Sequence, residues 1–86
     1  MKEYQYFTVK RRGSSKSGKT HIYDCENVSS GQVIGTIAWY GPWRCYCFYP
    51  MSGTVFSSGC LRDVKDFIDK QIPALRAEGQ PAGGGK

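Results

Sequence analysis

The stretch that decides the fold is residues 32–49, QVIGTIAWYGPWRCYCFY. Both sides of Gly41-Pro42 are rich in β-branched and aromatic residues, which is typical of β-strands. Glycine followed by proline suits a two-residue type II′ turn, because glycine takes the positive φ of the first position and proline takes the negative φ of the second. The sequence therefore predicts a β-hairpin with strands over 32–40 and 43–49.

The register of this hairpin assigns its side chains to two faces. If Tyr40 pairs with Trp43, one face carries small side chains, namely Ala38, Cys45 and Cys47. Small residues let a helix approach, and unpaired cysteine is among the most buried residue types, so we expect a helix on this small face. The other face would then stay open as a binding platform formed by Trp39, Arg44, Tyr46 and Phe48, with Phe48 covering the bare Gly35. The first strand, the 50–56 loop or a second copy of the chain are alternative covers for it.

The flanking sequence predicts two further strands, over 4–9 and 20–27, and one helix. The helix follows from apolar residues at steps of three and four (Leu61, Val64, Ile68, Ile72 and Leu75). Ser57 or Ser58 can cap its start, and Pro73 should end or kink it near Gln71. We expect an α+β fold: a three- to four-stranded antiparallel sheet (meander) with one C-terminal helix packed on one face.

The chain of 86 residues predicts a single domain over 1–76, with a flexible basic loop at 10–19 and a disordered tail at 77–86. It has no apolar run near the roughly 20 residues that a membrane helix needs. The first six residues also lack the apolar stretch of a signal peptide. We therefore expect a cytoplasmic protein.

Charge supplies the main functional signal. The formal net charge is +5, and residues 1–20 hold six basic side chains against the single acidic residue Glu3. A basic block of this kind attracts polyanions such as nucleic acid. The candidate phosphate ligands are Lys10, Arg11, Arg12, Lys16 and Lys19, and aromatic rings on a sheet could stack bases beside them. A pairing of Asn27 with Gln32 would place Asp24 and Glu26 on the aromatic face, where they would repel phosphates.

Residues 13–20, GSSKSGKT, match the P-loop pattern G-x-x-x-x-G-K-[ST]. That chemistry needs a helix that starts at the lysine, so that its N-terminus faces the phosphates. The residues that follow, His21 to Glu26, are predicted as a strand, and 86 residues are too few for the α/β core of such an enzyme. We therefore expect no nucleotide hydrolysis at this motif.

Four cysteines and one histidine raise the question of a metal or catalytic site. Cys25, Cys45, Cys47 and Cys60 include no C-x-x-C spacing, which argues against a zinc ribbon. Under the assumed register Cys25 shares the small face with Cys45 and Cys47, and all four are expected to be buried free thiols. His21 has no partner that would orient it for catalysis. We expect no metal, no cofactor and no enzymatic activity.

Several short patterns together resemble small uncharacterised proteins of bacteriophages and other mobile elements. They are the segments G-x-I-x-W at 35–39, W-R-x-Y-x-F-x-P at 43–50, T-V-F at 54–56, C-L at 60–61 and F-I at 67–68. The resemblance covers residues 31–72. It implies strands followed by a helix, and it implies no mechanism.

These observations predict a small basic nucleic-acid-binding accessory protein of a phage or mobile element. The alternative is a protein-binding accessory factor or inhibitor that uses the aromatic sheet face, which could also form a homodimer. Salt separates the two hypotheses, since nucleic-acid affinity falls steeply with salt and an apolar protein interface barely responds.

Overall fold

The computed structural model describes residues 4–16 and 18–79, with side chains up to residue 75. Within this part of the chain, four strands form one antiparallel sheet in the order β1-β2-β3-β4. They are β1 (Phe7–Ser14), β2 (His21–Asn27), β3 (Val33–Tyr40) and β4 (Cys45–Pro50). A helical segment follows, made of α1 (Ser58–Asp66), a π-helical turn (Phe67–Gln71) and α2 (Ile72–Gly79). The predicted α+β meander with a C-terminal helix is confirmed.

The core lies between one face of the sheet and the helical segment. Its fully buried side chains come from both layers and include Phe7, Cys25, Ile37, Phe67 and Ile72. The rings of Tyr23 and Phe67 meet edge to face with centroids 5.1 Å apart. Because burial of one large apolar side chain stabilises a fold by about 1.5–3 kcal/mol, this contact layer holds the helix on the sheet.

The helix packs on the aromatic face of the β3–β4 hairpin, so the predicted placement on the small face is wrong. Tyr46 and Phe48 both pack against the core cluster. The Phe48 ring covers Gly35, where an added Cβ would overlap it, and it meets Phe56 with centroids 5.2 Å apart. The face with more apolar area gains more from burial, and this gain outweighs the easier approach that small residues offer.

The turn between β3 and β4 is longer than predicted. Gly41–Trp43 form a 3₁₀ turn, and Arg44 takes the left-handed conformation at φ 55°. The Arg44 N–H donates to the carbonyl oxygens of Tyr40 and Gly41 at 2.9 and 3.0 Å. Tyr40 therefore pairs with Cys45 instead of Trp43. A shift of two residues preserves the alternation of a strand, so the paired side chains of the hairpin keep their predicted faces, and Trp43 and Arg44 move into the loop.

An irregularity in the pairing of β2 with β3 reverses the predicted faces of β2. The Asn27 N–H donates to the Gln32 carbonyl oxygen at 2.8 Å, as the predicted pairing requires. Between Glu26 and Cys25 the register shifts by one residue, so that Cys25 pairs with Gly35. A shift of one residue reverses the faces, so the side chains of β2 up to Cys25 lie on the faces opposite to those that the Asn27–Gln32 pairing predicts. The prediction that Asp24 and Glu26 share the aromatic face is therefore wrong, and Cys25 is buried under the helix.

The helix and the basic loop also differ from their predicted bounds. The chain stays helical past Pro73 to Gly79. In the π-helical turn before Pro73, the Ile72 N–H donates to the carbonyl oxygen of Phe67, five residues earlier. Residues 77–79, predicted as tail, are thus helical, and 80–86 lie outside the described residues. Residues 10–14 of the predicted loop belong to β1. Ser57 caps α1 as predicted, its side chain accepting from the Cys60 N–H.

Two neighbouring residues of β4 provide a test of which face the helix covers. Phe48→Ala removes a ring packed on the core, so we expect a loss of roughly 2–3 kcal/mol in the free energy of unfolding. Tyr49→Ala, on the opposite face and 41% exposed, should cost less than about 1 kcal/mol. Urea unfolding of both variants measures the difference, and a larger loss for Tyr49→Ala would contradict the observed packing.

Candidate nucleic-acid interface

Two hairpin loops lie at the same end of the sheet. β1 ends and β2 begins there, joined by the loop at 15–20, and β3 and β4 are joined there by the loop at 41–44. In an antiparallel meander the first and third connections lie at the same end of the strands, because each strand reverses the direction of the one before it. We call this the loop end of the sheet, defined by residues 15–20 and 41–44.

A cleft of about 570 Å³ lies between these loops. Ser15, Lys19 and Thr20 line it from the first loop and Arg44 from the second. Its apolar lining comes from the strands between them, from Ile22, Ala38 and Trp39. The cleft thus combines two cationic residues and two hydroxyl-bearing residues with an apolar wall, while the ring of Trp39 meets Tyr46 with centroids 5.4 Å apart on the helix side of the sheet. Cationic and apolar lining together suit a ligand that has both anionic and apolar parts.

The loop end is a cationic region. Lys16, Lys19 and Arg44 lie in the two loops, and neither loop sequence contains an aspartate or glutamate. The acidic side chains of the sheet, Asp24 and Glu26, are the fourth and sixth residues of β2, counted from this end. A concentration of positive charge of this kind raises the local concentration of polyanions.

Away from the loop end, two basic side chains of β1, Lys10 and Arg12, form ion pairs with acidic side chains of β2. Arg12 donates to the Asp24 carboxylate, with its closest contact at 2.8 Å, and also to the Thr36 hydroxyl at 3.1 Å. The hydrogen bond from Arg12 holds the pKa of Asp24 below its usual value. Lys10 Nζ lies 3.3 Å from a carboxylate oxygen of Glu26. These pairs lie on the sheet face opposite the helix, which we call the uncovered face.

The predicted binding residues therefore separate into three groups. Lys19, Arg44 and the 40% exposed Trp39 come together in the cleft at the loop end, and Lys16 lies in the same loop as Lys19. Lys10 and Arg12 are engaged in ion pairs, and exposed Arg11 lies opposite Tyr23 on the helix side of the sheet. Tyr46 and Phe48 pack against the core, so the predicted four-residue platform does not exist as one open surface.

Sequence reasoning missed Trp43, whose side chain is 71% exposed in the β3–β4 loop. Its ring meets that of Tyr40 at a centroid distance of 5.1 Å, and Tyr40 in turn meets Tyr49 at 6.5 Å. The three rings form an aromatic row on the uncovered face. The signal was present in the sequence, because a tryptophan directly after Gly-Pro belongs to the turn as readily as to the strand.

The P-loop pattern has no P-loop geometry. Strand β2 begins at His21, immediately after Lys19 and Thr20, so no helix N-terminus faces the loop. His21 instead joins the sheet end, with its Nδ1 3.2 Å from the Ser14 hydroxyl. The strand predicted to follow this motif is confirmed.

The four cysteines are free thiols in two environments. Cys25 and Cys60 are buried as predicted, and burial is the main cause that raises the pKa of the Cys25 thiol to about 12. The predicted burial is wrong for Cys45, which is exposed, and for Cys47, which is half-buried, because both lie on the uncovered face. No group of three histidine, cysteine or acidic side chains that could hold a metal occurs among the described residues.

Comparison with known proteins identifies a relative. An uncharacterized 9.3 kDa protein of Acholeplasma phage L2 is 30% identical over 66 residues, which cover 77% of this chain and 80% of the phage protein. The chain belongs to the family of that phage protein. No family model matches the chain, and no solved structure does. Among the helices of the described part of the chain, none has the length and apolarity to span a membrane.

The two cysteine environments predict two rates of alkylation. In the native protein, iodoacetamide should modify Cys45 and Cys47 before the two buried thiols, because both are on the uncovered face. Cys45 should react faster than the half-buried Cys47, since partial burial raises the pKa of the Cys47 thiol. Cys25 and Cys60 should react only as the protein unfolds, since burial hinders access and raises the pKa of both thiols. Peptide mass spectrometry over time measures the rates, and all four should react in denaturant. Equal native rates at all four positions would contradict this core.

Proposed function

We propose that this protein is a small binding module that holds single-stranded nucleic acid at the loop end of its sheet, as an accessory factor of a phage or mobile element. It would act in the cytoplasm, by binding and without catalysis. The observation that carries the proposal is the cleft in which Lys19, Arg44 and Trp39 meet from separate parts of the chain. Membership of a phage protein family agrees with it.

The phosphate contacts would come from both hairpin loops. Lys19 in the first loop and Arg44 in the second line the cleft, and Lys16 lies in the same loop as Lys19. Phosphate contacts supply most of the affinity of nucleic-acid binding and carry little sequence information. Because Lys10 and Arg12 are occupied by Glu26 and Asp24, the phosphate path is expected to follow the loop end and not the length of β1.

The base contacts would come chiefly from Trp43, which is largely exposed in the loop beside the cleft. Trp39 also lines the cleft, with its ring against Tyr46 on the helix side of the sheet. Every base has a flat π-face, so stacking on an indole tolerates all sequences and contributes about 1–3 kcal/mol per base. A single strand is favoured over a duplex because its bases are free to stack on side chains.

One observation favours the alternative, a protein-binding accessory factor or inhibitor. The aromatic row of Tyr40, Trp43 and Tyr49 continues from the loop end across the uncovered face. Aromatic residues are enriched at protein interfaces, and such a surface would bind with little dependence on salt. The salt response therefore distinguishes the two functions.

Charge removal at the loop end tests the nucleic-acid proposal. Affinity for a fluorescent oligothymidylate should fall steeply with salt in the wild-type protein, because bound phosphates release counterions. The double variant Lys19→Ala/Arg44→Ala should bind more weakly, and its log–log salt slope should be smaller by about 1.4, or about 0.7 for each lost phosphate contact. Fluorescence anisotropy at several salt concentrations gives both quantities.

The matched control is Lys65→Ala/Lys70→Ala, which removes the same formal charge from the helical segment. These lysines pair with Asp69 and Asp66 and lie far along the chain from the loops. The control should keep the wild-type salt slope. A control that weakens binding as much as Lys19→Ala/Arg44→Ala would reduce the effect to net charge and refute a site at the loop end.

Stacking is tested by Trp43→Ala. The side chain is 71% exposed, so its removal should change the free energy of unfolding by less than about 1 kcal/mol. Binding of the oligonucleotide should weaken by about 1–3 kcal/mol. Leu61→Ala, an exposed apolar residue on α1, is the control and should leave affinity unchanged. Wild-type affinity in Trp43→Ala would exclude this indole from the interface.

A further inference from the structure

Cys45 and Cys47 form a close pair of thiols on the uncovered face. They alternate with Tyr46 along β4, so both project to the side opposite the helix, and their Sγ atoms are 3.9 Å apart. Cys45 is exposed and Cys47 is half-buried. No packing requirement explains this placement, since the protein's buried thiols are Cys25 and Cys60.

The pair is accessible from more than one direction. β4 is an edge strand, paired with β3 alone in the described sheet. On the uncovered face Cys45 is exposed and Cys47 is half-buried, and both lie outside the core. A ligand can therefore reach both Sγ atoms without opening the core.

The separation of the sulfurs fits metal chelation better than a disulfide. A tetrahedral zinc ion with Zn–S bonds of about 2.3 Å holds two thiolate sulfurs about 3.8 Å apart. The observed 3.9 Å meets that requirement with almost no movement. A disulfide requires an S–S distance of about 2.05 Å, which would force residues 45 and 47 together within one extended strand.

We propose that Cys45 and Cys47 form a two-thiolate site for a thiophilic divalent cation of the zinc class. Each thiol gives up its proton to solvent as the sulfur binds the cation. The remaining coordination positions are filled by water or by the same pair from a second copy of the chain. The sequence-based expectation of no metal site rested on the missing C-x-x-C spacing and on the predicted burial of these thiols, and the exposure of Cys45 removes the second of these grounds. The site is independent of the proposed nucleic-acid function.

Cobalt(II) titration of the reduced full chain tests the proposal, because thiolate ligation of cobalt produces a charge-transfer absorption. The wild-type protein should develop this absorption and lose it when zinc is added in competition. Cys45→Ser/Cys47→Ser should show no such band. Cys60→Ala, which keeps the exposed pair, is the matched control and should retain it. Saturation at one ion per chain indicates a pair completed by water, and one ion per two chains with a dimer on size exclusion indicates bridging.

A second measurement uses only the wild-type protein, so it does not depend on the folding of a variant. Zinc should slow the alkylation of Cys45 and Cys47 at least tenfold and leave the slow rates of Cys25 and Cys60 unchanged. Absence of the cobalt–thiolate band in the wild-type chain would overturn the proposal. A band that survives in Cys45→Ser/Cys47→Ser, or alkylation rates that zinc does not alter, would do the same.

Discussion

The packing of the helix on the aromatic face of the β3–β4 hairpin is the contact on which the rest of the structure depends. Phe48 fills the space left by Gly35 and meets Phe56, while Phe67 of the helical segment contacts Tyr23. One helical segment can cover only one face of a four-stranded sheet. Once the larger apolar face is buried, the composition of the other face determines what the protein presents to its surroundings.

The uncovered face and the loop end differ in chemistry for that reason. Along β1 and β2 the face carries ion pairs, in which Asp24 and Glu26 compensate the basic residues opposite them. At the loop end the same sheet brings basic residues from two hairpin loops together, and neither loop sequence contains an acidic residue. Binding of a polyanion is therefore favoured at one end of the molecule, although the basic residues look continuous in the sequence.

Much of the fold was predictable because it depends on local patterns. Strand composition and the glycine and proline turn identify the strands, and the helical spacing from Leu61 onward identifies the helix. Four strands followed by one helix leave few possible topologies. The candidate site was predictable only in part. Lys19, Trp39 and Arg44 were recognised as separate candidates from charge and aromatic content. Their meeting in one cleft depends on which loops share an end of the sheet.

The sequence by itself determined the order of the elements, the alternation within the β3–β4 hairpin and the excess of positive charge, because each is a property of neighbouring residues. Only the tertiary structure decided which sheet face the helix covers, since that choice compares apolar areas contributed by distant segments. It also decided the faces of β2. One shift of register between Cys25 and Glu26 places Cys25 under the helix and Asp24 on the uncovered face. Nothing in the local pattern marks this shift, because a strand's side chains alternate in either register.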